Sequence, residues 1–156
     1  QKAIELAELS KNDIILDAYC GIGTIGLSAA SYVHQVIGVE IVKEAIKDAI
    51  NNAKFNHIQN CFFYCEDASQ FIVQNDNHFD VVFVDPPRKG CDFVFLDALI
   101  QKKVKKIVYI SCNPTTQARD VAYLCKNGYT FNEIYPFDMF PQTYHVETVC
   151  ALTLKK

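Results

Sequence analysis

The stretch Ile15–Gly26, ILDAYCGIGTIG, decides how the chain is read. A short apolar run reaches Asp17 and Tyr19, and glycines follow at Gly21, Gly23 and Gly26 in a Gly-x-Gly-x-x-Gly arrangement that opens into a helical pattern. Glycine there lets the backbone turn tightly and approach a ligand closely, so a strand, a tight turn and a helix start are expected together. That is the opening unit of a doubly wound α/β sheet.

Outward from this unit, strand and helix patterns alternate. A helical pattern at Ile4, Leu6, Ala7 and Leu9 precedes it. Behind it come a strand at 36–40, a helix over 43–56, a strand at 61–65 and a helix over 68–74. A β-branched apolar strand at 79–85, a helix over 93–101, a strand at 106–110 and a helix over 114–126 with Gly128 as its cap complete the series. The rhythm predicts a mostly parallel sheet wound on both faces. The tail departs from it: 129–137 and 146–154 both read as strands with no helix between them, so they are expected to pair antiparallel.

Half of the 156 residues are apolar, which is enough for one domain spanning 1–156. No run is long enough to cross a bilayer and no secretory leader is visible. The net charge of −3 does not favour a domain that grips nucleic acid through its own field. Lys102, Lys103, Lys105 and Lys106 read as a solvated helix end. Seven cysteines are scattered without the paired spacing of a zinc site, so no metal is expected and reduced thiols in a cytoplasm are the simplest account.

Several residues carry candidate chemistry. Glu40, at the end of the second strand, is placed to accept hydrogen bonds from ribose hydroxyls. A glycine loop alone suits dinucleotides as well as adenosyl ligands. Asp17, an acid ending the strand before the glycines, favours S-adenosylmethionine, whose cationic end carries an amine and a sulfonium. Asp67 is placed for the adenine edge, or is a plain helix N-cap. Asp85, Pro86, Pro87 and Arg88 end the fourth strand on the ligand-binding edge, where the prolines stiffen the loop that carries the carboxylate. Arg88 could position a phosphate or hold that loop. In Ile107–Thr116, IVYISCNPTT, Cys112 lies at a strand-to-helix junction with Asn113 as N-cap and Pro114 at the first helical position. A thiol beside a helix N-terminus is favoured as thiolate, and a buried structural cysteine is the alternative.

DPPRKG, IVYISCNPTT and FDMFPQTYHVE (137–147), in this order, resemble the signature stretches of the RNA uracil-C5 methyltransferase family (TrmA/RumA). The resemblance runs from Asp17 to the tail and implies a class I S-adenosylmethionine-dependent methyltransferase fold, whose parallel sheet ends in an antiparallel hairpin. It further implies methylation of C5 of a uridine in tRNA or rRNA. Cys112 is then the nucleophile that adds to C6, and Glu147 the base that removes the C5 proton, with His145 as the nearby physical rival. Tyr19, Gly21, Gly23, Thr24, Glu40, Asp67 and Asp85 join Asp17 on the cofactor side, and Asp85 and Arg88 face the substrate. Family members also carry an upstream RNA-binding part and a Phe-x-Gln-x-Asn segment. Neither is in this chain, which reads as a C-terminal catalytic part whose RNA is gripped mainly by other domains.

Rival readings are separable. An RNA cytosine-C5 methyltransferase places a second cysteine in the proline loop, where this chain has Arg88 and only later Cys91. Amino-methylating enzymes with an Asp-Pro-Pro loop place an aromatic residue after it and need no thiolate. A nicotinamide-dependent oxidoreductase would share the glycine loop and Glu40 but has no use for SCNP or HVE. A cofactor-binding fragment, inactive without its upstream domains, is the non-enzymatic alternative.

Overall fold

The computed structural model describes residues 1–139, 142 and 146–156. His145 lies outside the described residues. The elements are α1 (Lys2–Ala7), β1 (Ile14–Ala18), α2 (Thr24–Ala29), β2 (Gln35–Glu40), α3 (Lys43–Phe55), β3 (Cys61–Cys65) and α4 (Ala68–Gln74). They continue with β4 (Val81–Val84), α5 (Phe93–Gln101), β5 (Lys106–Ser111), α6 (Pro114–Lys126), β6 (Tyr129–Phe137) and β7 (Glu147–Leu154).

The strands form one sheet in the order β3-β2-β1-β4-β5-β7-β6. All pairings from β3 across to β5 are parallel, and β7 pairs antiparallel with both β5 and β6. The chain lays β2 and β3 on one side of β1 and then crosses to put β4 on the other. The carboxyl ends of β1 and β4 therefore flank a topological switch point, where ligands bind in open α/β sheets.

Alternating side chains explain the two cores. Leu16, Ile37, Val82, Val84 and Ile107 face α4, α5 and α6 and pack with Phe71, Ile72, Leu96, Leu99 and Leu124. Ile15, Val36, Val81, Phe83 and Val108 face the other way, toward Ala7, Ala29 and Ala30. β4 is buried along its whole length, as its apolar run predicts.

The structure moves several boundaries for local reasons. β1 stops at Ala18 because Tyr19 has a φ of 62°, which no strand can continue. β4 ends at Val84, before a loop whose two prolines have no N–H to offer a ladder. β5 runs one residue further than its apolar pattern, to Ser111, because Thr148 pairs with it. Asn127, not Gly128, caps α6; Gly128 follows in the left-handed region at a φ of 101°. The lysine group is occupied locally: Lys102 Nζ donates to the Asn75 carbonyl at 2.6 Å, Lys105 pairs with Asp80 at 2.8 Å and Lys106 pairs with Glu8. Among the described residues no helix is long and apolar enough to cross a membrane.

Candidate active site

The glycine loop is built as its composition demands. Gly21 and Gly23 have φ of 53° and 84°, and nothing lies within 4 Å of the point where a Cβ on Gly21 would stand, so its backbone is open to approach. Glu40 holds the loop from the next strand, with Oε2 accepting from Gly21 N at 3.1 Å and Oε1 from Val42 N at 3.0 Å. Each oxygen keeps a lone pair for a further donor.

Asp17 lies beneath the loop, fully buried. Its Oδ2 accepts from Gly26 N at 2.7 Å, whereas Oδ1 has no partner. Burial pushes its carboxyl up to about 7, with the charges of Asp85 and Glu40 acting the same way and the Gly26 bond opposing. An unpartnered buried oxygen beside a glycine turn marks a place where a donor or a cation would be stabilising.

A cleft of about 410 Å³ opens at the switch point, lined by Tyr19, Glu40, Asp67 and Asp85 together with Ile41, Pro87, Lys89, Gly90 and Asp92. Tyr19 holds its left-handed backbone by packing its ring on Phe95, with centroids 5.6 Å apart. A non-glycine residue kept at positive φ in a cleft is strain that the surroundings enforce. Asp67 is the N-cap of α4, accepting from Ser69 N and Gln70 N at 3.0 Å each. Both readings of that residue meet here, because the capping residue also lines the cleft. Burial at the sheet edge, then the charge of Glu147, raises the Asp85 carboxyl to about 6 even though the residue opens to solvent.

Cys112 and Glu147 leave the sheet at the same end. Ser111 of β5 pairs with Thr148 of β7, so the next facing positions beyond that pair are Cys112 and Glu147. Cys112 is half-buried and free, immediately before the N-cap Asn113, whose Oδ1 accepts from Thr115 N at 3.1 Å, with Pro114 opening the helix. Gln117 ties the two strands from below: its Nε2 donates to the Tyr109 carbonyl at 3.1 Å and its Oε1 accepts from the Thr148 hydroxyl at 2.7 Å.

The Asp85 loop is fastened to the same helix. The Arg88 carbonyl accepts from Asn113 Nδ2 at 3.0 Å and from Thr116 Oγ1 at 3.1 Å. Burial pushes the Cys91 thiol, at the end of that loop, up to about 12, which disfavours its thiolate.

The structure thus gathers Tyr19, Glu40, Asp67 and Asp85 in one cleft, sets Asp17, Gly21 and Gly23 under and beside it, and brings Cys112, Glu147 and Arg88 to the adjoining strand ends. Thr24 is not in that cleft: it opens α2 and lies in a separate depression with Ile22, Asn52 and Asn56. Asp92, Ile41, Gln117 and Asp120 were missed in the sequence. Asp92 had a readable signal, because it precedes the α5 pattern as an N-cap and accepts from Phe95 N at 2.8 Å.

Residues 1–156 match the family described as tRNA (uracil-5-)-methyltransferase. An uncharacterized RNA methyltransferase of Enterococcus faecalis is 51% identical over 98% of this chain, and one of Staphylococcus aureus is 52% identical over 99%. The chain spans 34% of the length of each, about a third. The crystal structure of the Pyrococcus abyssi tRNA (uracil-54, C5)-methyltransferase, in complex with S-adenosyl-L-homocysteine, superposes with a TM-score of 0.84 at 36% identity over 97% of this chain and 37% of that one. An rRNA methylase of Streptococcus thermophilus shares the fold with a TM-score of 0.79 at 11% identity, covering 99% of this chain and 92% of that one. The fold is that of the class I S-adenosylmethionine-dependent methyltransferases, and the chain belongs to the tRNA (uracil-5-)-methyltransferase family.

Proposed function

We propose that the protein containing this chain methylates C5 of a uridine in tRNA or rRNA, with S-adenosylmethionine as donor and a covalent bond between Cys112 and C6 of the base. The observation that supports the reading is the Ser111–Thr148 pairing, which puts Cys112, just past β5, and Glu147, the first residue of β7, at one end of the sheet, where the charge of Glu147 is felt at Asp85. Its RNA, its activity as a whole and its cytoplasmic location are part of the same proposal.

The residues fit the donor. The cleft offers Glu40, Asp67, Asp85 and Asp92 to a ligand that carries ribose hydroxyls, an amine and a sulfonium. A cleft lined by acids favours a cation. Glu40 would take the ribose and Asp67 the adenine edge. Asp17, through its unpartnered oxygen and the loop it holds, would act at the cationic end. When bound, S-adenosylmethionine supplies an electrophilic methyl group for C5.

Uracil C5 is too weak a nucleophile to react unaided. The Cys112 thiolate adds to C6, a C–S bond forms, and the C5–C6 π pair moves to C5 as an enolate. After alkylation C5 carries both a methyl group and a hydrogen. Glu147 takes that hydrogen as a proton, the electron pair restores the C5–C6 double bond, and the C–S bond breaks to release Cys112. The Arg88 backbone carbonyl ties its loop to α6.

The test is trapping. RNA containing 5-fluorouridine should form a denaturation-resistant complex with the full-length protein in the presence of donor, because fluorine at C5 cannot leave as a proton. A Cys112→Ala variant that still forms the complex would overturn the nucleophile.

A further inference from the structure

The polar groups that fasten the Asp85 loop converge on one helix. Asn113, Thr116 and Asp120 fall on one face of α6 at helical spacing, with Arg119 beside them. Asn113 and Thr116 hold the Arg88 carbonyl, Arg119 Nη2 donates to the Lys89 carbonyl at 3.2 Å and the Cys91 carbonyl at 2.9 Å, and Asp120 Oδ2 accepts from Cys91 N at 2.8 Å. Every one of these bonds joins the loop behind Asp85 to the helix behind Cys112.

Asp120 is the hub. It is completely buried, and besides Cys91 N it accepts from the Tyr109 hydroxyl at 2.6 Å and from Arg119 Nε at 2.8 Å. A buried carboxylate is costly unless every lone pair is used, and apolar residues would fill such a space at least as stably. Here it fixes a geometry that apolar packing would leave loose. The loop is shaped to it: a Cβ on Gly90 would lie 2.7 Å from Asp120 Oδ2 and 2.8 Å from Arg119 Nη2.

We propose that Asp120, acting with Arg119, is a positioning residue that clamps the Asp85 loop to α6 and so fixes the methyl-donor cleft relative to the Cys112 thiol. Asp120 touches neither the base nor the donor. The inference rests on the uridine reading above. It predicts that each half of the site works alone when the clamp is loosened, and that only their cooperation fails.

The experiment uses the full-length protein and total RNA from cells that lack it, labelled with 5-tritiated uridine. Tritium release without donor reports addition of the thiolate at C6 and proton exchange at C5. Release with S-adenosylmethionine reports methyl transfer, and calorimetry with S-adenosylhomocysteine reports the cleft. Asp120→Asn keeps the shape but turns an amide toward Arg119. Arg119→Lys, at a half-exposed position, keeps the charge and loses the fork. Both should leave donor-free release and S-adenosylhomocysteine affinity within about threefold of wild type with an unchanged KM for RNA. The kcat for donor-dependent release should fall by about 100-fold, the scale of a misplacement of about 1 Å. Wild-type kcat in Asp120→Asn and Arg119→Lys overturns the clamp, as does a parallel fall of all readouts. Absence of donor-dependent release in the wild-type protein instead overturns the uridine reading itself.

Discussion

The charge of Glu147, at the start of β7, raises the carboxyl of Asp85, at the end of β4, although β5 lies between their strands. The charge of Glu147 is therefore felt at Asp85 across the intervening strand.

The first prediction follows from that coupling. Asp85 is raised to about 6 by burial and by Glu147, so its charged form fills in as pH rises through that value. A cationic ligand in the cleft gains from the charged form, so affinity for S-adenosylmethionine should begin to rise near pH 5, and Asp17, raised to about 7, should carry the rise on to about pH 8. Glu147→Gln removes one of the two causes and leaves burial in place. The midpoint should move down without reaching the ordinary carboxylate value. Calorimetric titration across pH checks this, and an unmoved midpoint in Glu147→Gln would show that the carboxylates act independently.

Glu147→Gln should also separate the chemical steps. An amide cannot take the C5 proton, so methylated RNA should remain bound through Cys112 and accumulate as a band that survives denaturation. Ordinary multiple turnover in this variant would shift the proton to another group, with His145 the nearest in sequence.

Asp17 gives a stability prediction with a definite sign. Its folded pKa of about 7 lies above the ordinary 3.8, so between these values the folded state holds more protons than the unfolded state. Stability should therefore fall as pH rises from about 4 to about 7 and stay flat above that. Asp17→Asn keeps an acceptor for Gly26 N, gives the unpartnered position a neutral amide and removes the titration. Without ligand it should be more stable than wild type at pH 8, by something on the order of 1–4 kcal/mol, and should lose the slope below pH 7. Urea unfolding at several pH values measures both. A loss of S-adenosylmethionine affinity in the same variant would show that the buried charge is kept for binding at the expense of stability.

Asp67 separates capping from recognition. Asp67→Ser retains an oxygen for the Ser69 and Gln70 amides, so stability should stay within about 0.5 kcal/mol, whereas Asp67→Ala should cost about 1 kcal/mol. If the charged edge also meets adenine, both variants should weaken S-adenosylhomocysteine binding by a similar factor. Binding that tracks stability alone would leave Asp67 as a cap.

The fold was legible because each strand is a short apolar run and each turn is marked by glycine, proline or a capping residue. The cleft residues were legible for the same reason: Glu40, Asp67 and Asp85 sit at strand ends, and strand ends of a doubly wound sheet converge. Cys112 was legible as a thiol at a helix start, but its role and that of Glu147 required the resemblance, since nothing local pairs a cysteine with an acid that returns on an antiparallel strand. Tyr19 read as strand because its ring is a good strand former, and its left-handed backbone is set by Phe95 and the turn. Thr24 read as part of the loop, but as the first residue of α2 it faces away. Asp120 and Gln117 were hidden inside an ordinary amphipathic helix, where a buried polar residue looks like any solvent-facing one until its partners are known.

Gln117 supports the last prediction. Its amide spans β5 and β7 beneath Cys112 and Glu147, donating to the Tyr109 carbonyl and accepting from the Thr148 hydroxyl. Gln117→Leu leaves both partners buried without that contact and should cost about 1–3 kcal/mol. Thr148→Val suits a strand and removes the hydroxyl, but strands the Gln117 oxygen instead. Because each single change orphans the same bond, the double variant should cost less than the sum of the singles, with a coupling of roughly 0.5–3 kcal/mol in urea unfolding. Strict additivity would mean that the bond contributes nothing net. The functional consequence lies in the alignment of Cys112 with Glu147, so Gln117→Leu should slow release of methylated RNA from the adduct more than it slows adduct formation, as single-turnover quenching would resolve.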